Sequence, residues 1–191
     1  SSGELGLFDL QSGKLLYLHK AKTQTLSADY LSRIDGVVGS PVYANGRIYY
    51  ASYNGPFSML EIEGNKLRSV WQMDIGSINT PLVAGNVVYV MTKEAHLMAL
   101  DAASGRLIWG EDFPLFEDSV KRTRRINYFG PVMGGGILIL SSSDGYNIHI
   151  NAANGKVLIN QKLHSGAGVS PIIAEKHLFI VTKKGRVIGY R

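Results

Sequence analysis

Short apolar runs recur along the chain, separated by clusters of glycine, asparagine, aspartate and serine. Ile48 to Ala51 and Val87 to Met91 are typical: rich in β-branched and aromatic residues, and too short for a helical stripe. Such runs read as strands. Asn45-Gly46, Gly85-Asn86 and Ser143-Asp144-Gly145 fall between runs, and these pairs supply the positive φ that tight hairpin turns require. The pattern therefore predicts an all-β chain of short, hairpin-linked strands.

The pattern repeats. Ser40-Pro41-Val42, Thr80-Pro81-Leu82, Gly130-Pro131-Val132 and Ser170-Pro171-Ile172 open four similar segments, with Pro41, Pro81, Pro131 and Pro171 spaced by 40, 50 and 40 residues. Each proline is expected just before a first strand, where its missing N–H is tolerated. A second motif follows each opening, clearest in Leu97-Met98-Ala99-Leu100-Asp101-Ala102-Ala103-Ser104-Gly105-Arg106-Leu107-Ile108-Trp109. It returns as Ile150-Asn151-Ala152-Ala153-Asn154-Gly155-Lys156 and, near the start, as Phe8-Asp9-Leu10-Gln11-Ser12-Gly13-Lys14; the copy ending at Trp71 is degenerate. Asp101 or its Asn equivalent is expected to cap its own turn, while Gly105 and Gly155 take a conformation closed to other residues. Trp71 and Trp109 recur at one blade position, which marks them as packing anchors between repeats.

Four antiparallel strands per roughly 40 residues is the spacing of a β-propeller blade. Residues 1–191 thus predict a single partial propeller of about four blades. Residues 1–20 are the end of a preceding blade, three full repeats follow, and three strands end the chain. Two arrangements of the ends are open. The stretch from Gly13 to His19 can act as a clasp beside Val187 to Tyr190, or the blades can be part of a larger ring, the preferred reading because it removes exposed strand edges.

Composition narrows the chemistry. The chain has no cysteine, which removes disulfides, thiolate catalysis and cysteine metal sites within it. No apolar run reaches the length of a membrane-spanning helix, and Ser1-Ser2-Gly3-Glu4 does not open a secretory signal. The formal charge of +5 is ordinary for a soluble domain, and one short basic patch offers too few phosphate contacts to predict nucleic-acid binding.

With these motifs laid out, the chain resembles the PQQ-type propeller repeats, and more closely the C-terminal half of the BamB family of outer-membrane assembly lipoproteins. The resemblance rests on Val37-Val38-Gly39-Ser40-Pro41-Val42, Ala51-Ser52-Tyr53-Asn54-Gly55, Leu97-Met98-Ala99-Leu100-Asp101, Gly145-Tyr146-Asn147-Ile148-His149-Ile150-Asn151, Gly155-Lys156-Val157 and the terminal Thr182 to Arg191. It implies an eight-bladed ring on the periplasmic face of the bacterial outer membrane, lipid-anchored through an N-terminal cysteine. The implied role is to bind the barrel-forming subunit and to help unfolded outer-membrane proteins fold and insert. Two departures stand out. The segment from Asp118 to Tyr128 lies in a ten-residue expansion between the Pro81 and Pro131 repeats, and Gly36 and Val38, with Asp35 adjacent, stand where the family places acidic residues.

Candidate sites follow from exposed polarity. Lys121, Arg122, Arg124 and Arg125 put four cations in five residues, suited to a carboxylate-rich partner, phosphate or lipid headgroups, with Phe113, Phe116, Tyr128 and Phe129 flanking as apolar contacts. Tyr30, Leu31, Arg33 and Asp35 lie in a long inter-blade connection that corresponds to the family's partner-facing loop; Tyr30 and Leu31 would supply apolar contact, Arg33 and Asp35 a polar rim. His19, His96, His149, His164 and His177 show no metal-ligand spacing, and no catalytic residue, metal or cofactor is assigned. The expected function is a non-enzymatic scaffold. The alternatives are a fragment of a PQQ-type oxidoreductase and a generic protein-binding propeller of the periplasm; self-association of half-rings is a further possibility.

Overall fold

A computed structural model describes residues 4–20 and 39–191 of the protein. Every regular element in them is a strand. The strands are β1 (Glu4–Phe8), β2 (Leu15–Lys20), β3 (Val42–Ala44), β4 (Arg47–Ala51), β5 (Phe57–Glu63), β6 (Lys66–Met73), β7 (Leu82–Ala84), β8 (Val87–Met91), β9 (His96–Asp101) and β10 (Leu107–Asp112). They continue with β11 (Phe116–Asp118), β12 (Thr123–Arg125), β13 (Tyr128–Gly134), β14 (Ile137–Ser142), β15 (Tyr146–Asn151), β16 (Val157–Lys162), β17 (Ile172–Ala174), β18 (His177–Val181) and β19 (Val187–Tyr190).

Sequential antiparallel pairing sorts them into blades. Blade I holds β1 and β2, blade II β3 to β6, blade III β7 to β10, blade IV β13 to β16 and blade V β17 to β19. The three complete blades are four-stranded, the first has two strands and the last has three, as the repeat count predicts. The first strands of successive blades lie beside one another, β3 against β7, β7 against β13 and β13 against β17. The clasp arrangement does not form: β2 pairs with β1 alone and packs against β6, while β19 pairs with β18 alone.

Two recurring devices join the blades. In the first, Tyr49 Oη and Trp71 Nε1 of blade II both donate to the Ala102 carbonyl of blade III, at 3.1 and 3.3 Å. Tyr89 Oη and Trp109 Nε1 of blade III likewise donate to the Ala152 carbonyl of blade IV, at 3.1 and 3.0 Å. The accepting alanine sits in the turn that opens with Asp101 or Asn151. Asp101 Oδ1 accepts from the Ser104 N–H at 2.8 Å and its hydroxyl at 2.6 Å; these bonds hold its carboxyl below the usual carboxylate range. Gly105 and Gly155 close the turns at φ +71° and +76°, and a Cβ on either would lie 2.8 or 2.6 Å from the neighbouring indole. The tryptophans are thus inter-blade anchors.

The second device is a backbone latch. The connection that leaves each outermost strand offers a carbonyl to the turn between the second and third strands of the next blade. Lys93 N–H donates to Gly76, Ser143 N–H to Asn127 and Lys183 N–H to Gly166, each at 2.8 Å.

Apolar burial follows the same blade-to-blade logic. Tyr49, Phe57 and Met59 pack on Val88, Val90 and Leu100; Met91 and Leu97 pack on Leu138, Leu140 and Ile150. The interface between blades IV and V is different in kind. Ile139 and Ile159 occupy the Tyr and Trp positions, and the buried Asn147 Oδ1 and His149 Nε2 make no hydrogen bond.

Three prolines precede their strands as predicted, since Val42, Leu82 and Ile172 each begin one. Pro131 does not. β13 starts three residues earlier at Tyr128, and Pro131 follows a cis peptide where the register with β14 shifts between Phe129 and Val132. The bulge lets the chain carry a residue without a donor inside the strand.

Candidate interaction surface

Antiparallel alternation fixes which loops share an end of the blades. Turns between second and third strands, and connections from fourth to first strands, emerge together at one end; the Asp/Asn-to-Gly turns lie at the other. The connection between β10 and β13 is the expanded one, and within it β11 and β12 form a separate two-stranded hairpin. Phe116 pairs with Arg125 and Asp118 with Thr123. Asp118 Oδ1 accepts from the Val120 and Lys121 N–H groups at 3.1 and 2.9 Å, which turns the chain at the tip.

All four expected cations of this segment are exposed. Arg124 pairs with Glu117 at 3.1 Å, and the Arg125 guanidinium donates to the Lys93 carbonyl, tying the hairpin to blade III. Arg122 lies over the Phe116 ring at 5.5 Å. Lys121 takes part in no ion pair among the described residues. Arg122 and Arg124 have φ of 51° and 56°, a left-handed backbone that costs a non-glycine residue about 1–2 kcal/mol.

Beneath the hairpin is a cleft of about 390 Å³, walled by Phe113, Phe116, Tyr128 and Tyr146 and edged by Glu117, Asp144, Asn160 and Lys162. Phe113 and Phe116 are half-buried. Tyr128 departs from the expected flanking contact: only 6% exposed, it packs on Phe113 at 5.4 Å between centroids and donates its hydroxyl to the Pro114 carbonyl at 2.8 Å. Burial pushes that phenol well above its ordinary range. Tyr128 thus supports the cleft from behind. Phe129 packs on the far side, against the core between blades IV and V. Lys162 Nζ donates to the Asp144 carbonyl at 3.0 Å and stands 4.1 Å from the Tyr146 ring centroid. A smaller hollow of about 180 Å³ adjoins it, lined by Tyr53, Asn79, Lys93, Arg125 and Asn127. A third, of about 610 Å³, runs along the unpaired edge of β19 beside Lys162 and His164.

Tyr30, Leu31, Arg33 and Asp35 lie outside the described residues. The structure brings the basic segment together with Phe113 and Phe116 of its expected flank, and not with Phe129. Sequence reasoning missed Tyr146, Asp144 and Lys162, the opposite wall, because they come from the next blade. It missed Tyr49 and Tyr89 as well, although their shared place in the second strand was a readable signal. The histidines stay dispersed: His19 Nε2 meets Tyr50 Oη at 3.0 Å, and His96 pairs with Asp112. Among the described residues no group of three or more His, Asp or Glu side chains gathers as a metal site.

Four-stranded blades joined by aromatic clamps define an all-β protein of the PQQ-repeat propeller class. The sequence profile described as "Outer membrane protein assembly factor BamB" matches residues 1–111 and 118–191. The chain belongs to that family. It is 27% identical over 187 residues to outer membrane protein assembly factor BamB of Escherichia coli K12, covering 97% of this chain and 45% of that protein. The crystal structure of BamB from Moraxella catarrhalis superposes with a TM-score of 0.81 at 14% identity, covering 98% of this chain and 53% of that one. A quinohemoprotein alcohol dehydrogenase from Pseudomonas putida HK5 shares the fold, with a TM-score of 0.61 at 18% identity over 77% of this chain and 28% of its own. The chain spans about half the length of the curated relatives it matches.

Proposed function

We propose that the chain is part of the propeller of a non-enzymatic scaffold in outer-membrane protein assembly, and that it binds the barrel-forming subunit of the assembly machine. Family membership over nearly the whole chain is the observation that carries this reading. The fold adds a physical reason. Clamps and latches fix the blades rigidly, so the loops at one end form a preorganised surface, which lowers the entropy cost of docking. The surface has aromatic anchors and a charged rim, the composition of a protein interface.

In this reading residues 1–191 are one partial propeller within an eight-bladed ring, held by a lipid anchor at the periplasmic face of the outer membrane. Unfolded outer-membrane proteins would be handled alongside the barrel-forming subunit. The oxidoreductase alternative has the shared fold behind it and nothing more, because a fold does not carry a function.

The test is capture of the purified barrel-forming subunit by the immobilised chain. Retention is expected, with loss on joint charge reversal, Arg33→Glu and Asp35→Lys. Retention unchanged by the reversal would remove the 30–35 connection from the interface. No retention by the unaltered chain would sink the scaffold reading.

A further inference from the structure

Among the described residues the β11–β12 hairpin has no counterpart in the other repeats. The spacing that contains it is ten residues longer than its neighbours, 50 against 40, and the family profile skips residues 112–117, which run into its first strand. It is nonetheless an organised element. Pairing holds its strands together, Glu117 and Arg124 form an ion pair across it, and Arg125 anchors it to blade III. At the tip Lys121 and Arg122 are exposed, and Arg122 lies over Phe116 of the cleft wall.

We propose that this hairpin and the cleft beneath it form a docking site for an extended polypeptide segment that carries carboxylates next to an aromatic side chain. Three observations choose this occupant. The cleft is lined by the rings of Phe113, Phe116 and Tyr146, side chains that pair favourably with a further aromatic ring. Arg122 lies over Phe116, a wall of the cleft, and among the described residues neither it nor the adjacent Lys121 takes part in an ion pair; a carboxylate there gains charge-assisted hydrogen bonds. Among the described residues the two-stranded hairpin has no third strand on either side, and such edges take an added strand from an extended chain. Arg122 and Arg124 also hold backbone conformations that glycine takes freely. The proposal uses no residue of the 30–35 connection and does not rest on the identity of the scaffold's partner.

The experiment titrates the full chain with a synthetic peptide that alternates aromatic and aspartate residues, followed by calorimetry and by NMR. Saturable binding is expected, weakening as salt rises, with shifts confined to Phe113, Phe116, Tyr146 and the tip. The double variant K121E/R122E changes only exposed side chains and should weaken binding at least roughly tenfold; Tyr146→Ala should do so with the charges intact. A peptide with lysine in place of aspartate should not bind. Absence of binding, binding indifferent to K121E/R122E, or capture of anionic lipid vesicles in place of the peptide would each overturn the proposal. Capture of the barrel-forming subunit by K121E/R122E is measured in parallel. If it persists while the peptide result fails, this site falls and the scaffold reading stands.

Discussion

Gly155→Ala is the sharpest probe of the clamp between blades III and IV. Two costs add. Gly155 sits at φ +76°, where a Cβ costs about 1–2 kcal/mol. The new methyl would also lie 2.6 Å from Trp109 Cε3 and 3.0 Å from Cζ3, so the indole must move off the Ala152 carbonyl that it now holds at 3.0 Å. Overpacking of this kind costs about 1–3 kcal/mol, and the expected total is about 3 kcal/mol. The chain supplies its own control. Gly13 closes the same turn in blade I, at φ +68° and under an Asp9–Ser12 cap at 2.8 Å, but has nothing within 4 Å of its Cβ position. Gly13→Ala should therefore show the backbone cost alone, about 1–2 kcal/mol. Trp109→Ala should cost about 3 kcal/mol, and combining it with Gly155→Ala should cost less than the sum by about 1–2 kcal/mol, since the clash disappears with the indole. Urea unfolding followed by circular dichroism gives all four values on one scale. Equal losses for Gly13→Ala and Gly155→Ala, or strict additivity in the cycle, would refute the clamp.

Two further outcomes follow from the latch and the buried imidazoles. Gly76→Ala and Gly166→Ala each place a Cβ 2.0 Å from a backbone oxygen of a neighbouring turn, Tyr53 and Ser143 respectively; backbone cannot swing aside, so both should lower the thermal midpoint more than Gly46→Ala, whose surroundings are open, does. His19 and His149 are held below the ordinary imidazole pKa by burial. Their folded values are depressed, so unfolded chains bind the extra protons; stability should be full above the ordinary value of about 6.5 and decline as pH falls below it. Thermal melts across that window should show the decline, and a flat profile in the wild-type chain, or an unchanged one in H19F/H149F, would contradict it.

The parts of the fold legible in the sequence are those written in turn chemistry. Asp101, Gly105 and Gly155 announce a turn because few residues cap or take a left-handed backbone, and Pro41, Pro81 and Pro171 mark strand starts because proline lacks a donor. Pro131 obeys the same chemistry but sits at a bulge, a choice made by the pairing with β14. The hairpin was hidden for a different reason. Thr123-Arg124-Arg125 has no apolar alternation, and its tip uses Arg122 where a glycine would have signalled the turn. The cleft could not be read at all, since Phe116 and Tyr146 meet only when blade IV folds back under the connection. The replacement of the Tyr and Trp anchors by Ile139 and Ile159 was visible residue by residue, but its setting, a junction with blade V that buries Asn147 Oδ1 and His149 Nε2 unpaired, needed the packing.

Hydrogen–deuterium exchange of the chain with and without the purified barrel-forming subunit tests the central claim most directly, because it reports which end of the blades meets the partner. The account predicts protection at the end that carries the 113–127 connection and the turns after β4, β8 and β14, with the turns at Asp101–Gly105 and Asn151–Gly155 unchanged. Protection at those opposite turns, or no protection anywhere, would contradict it.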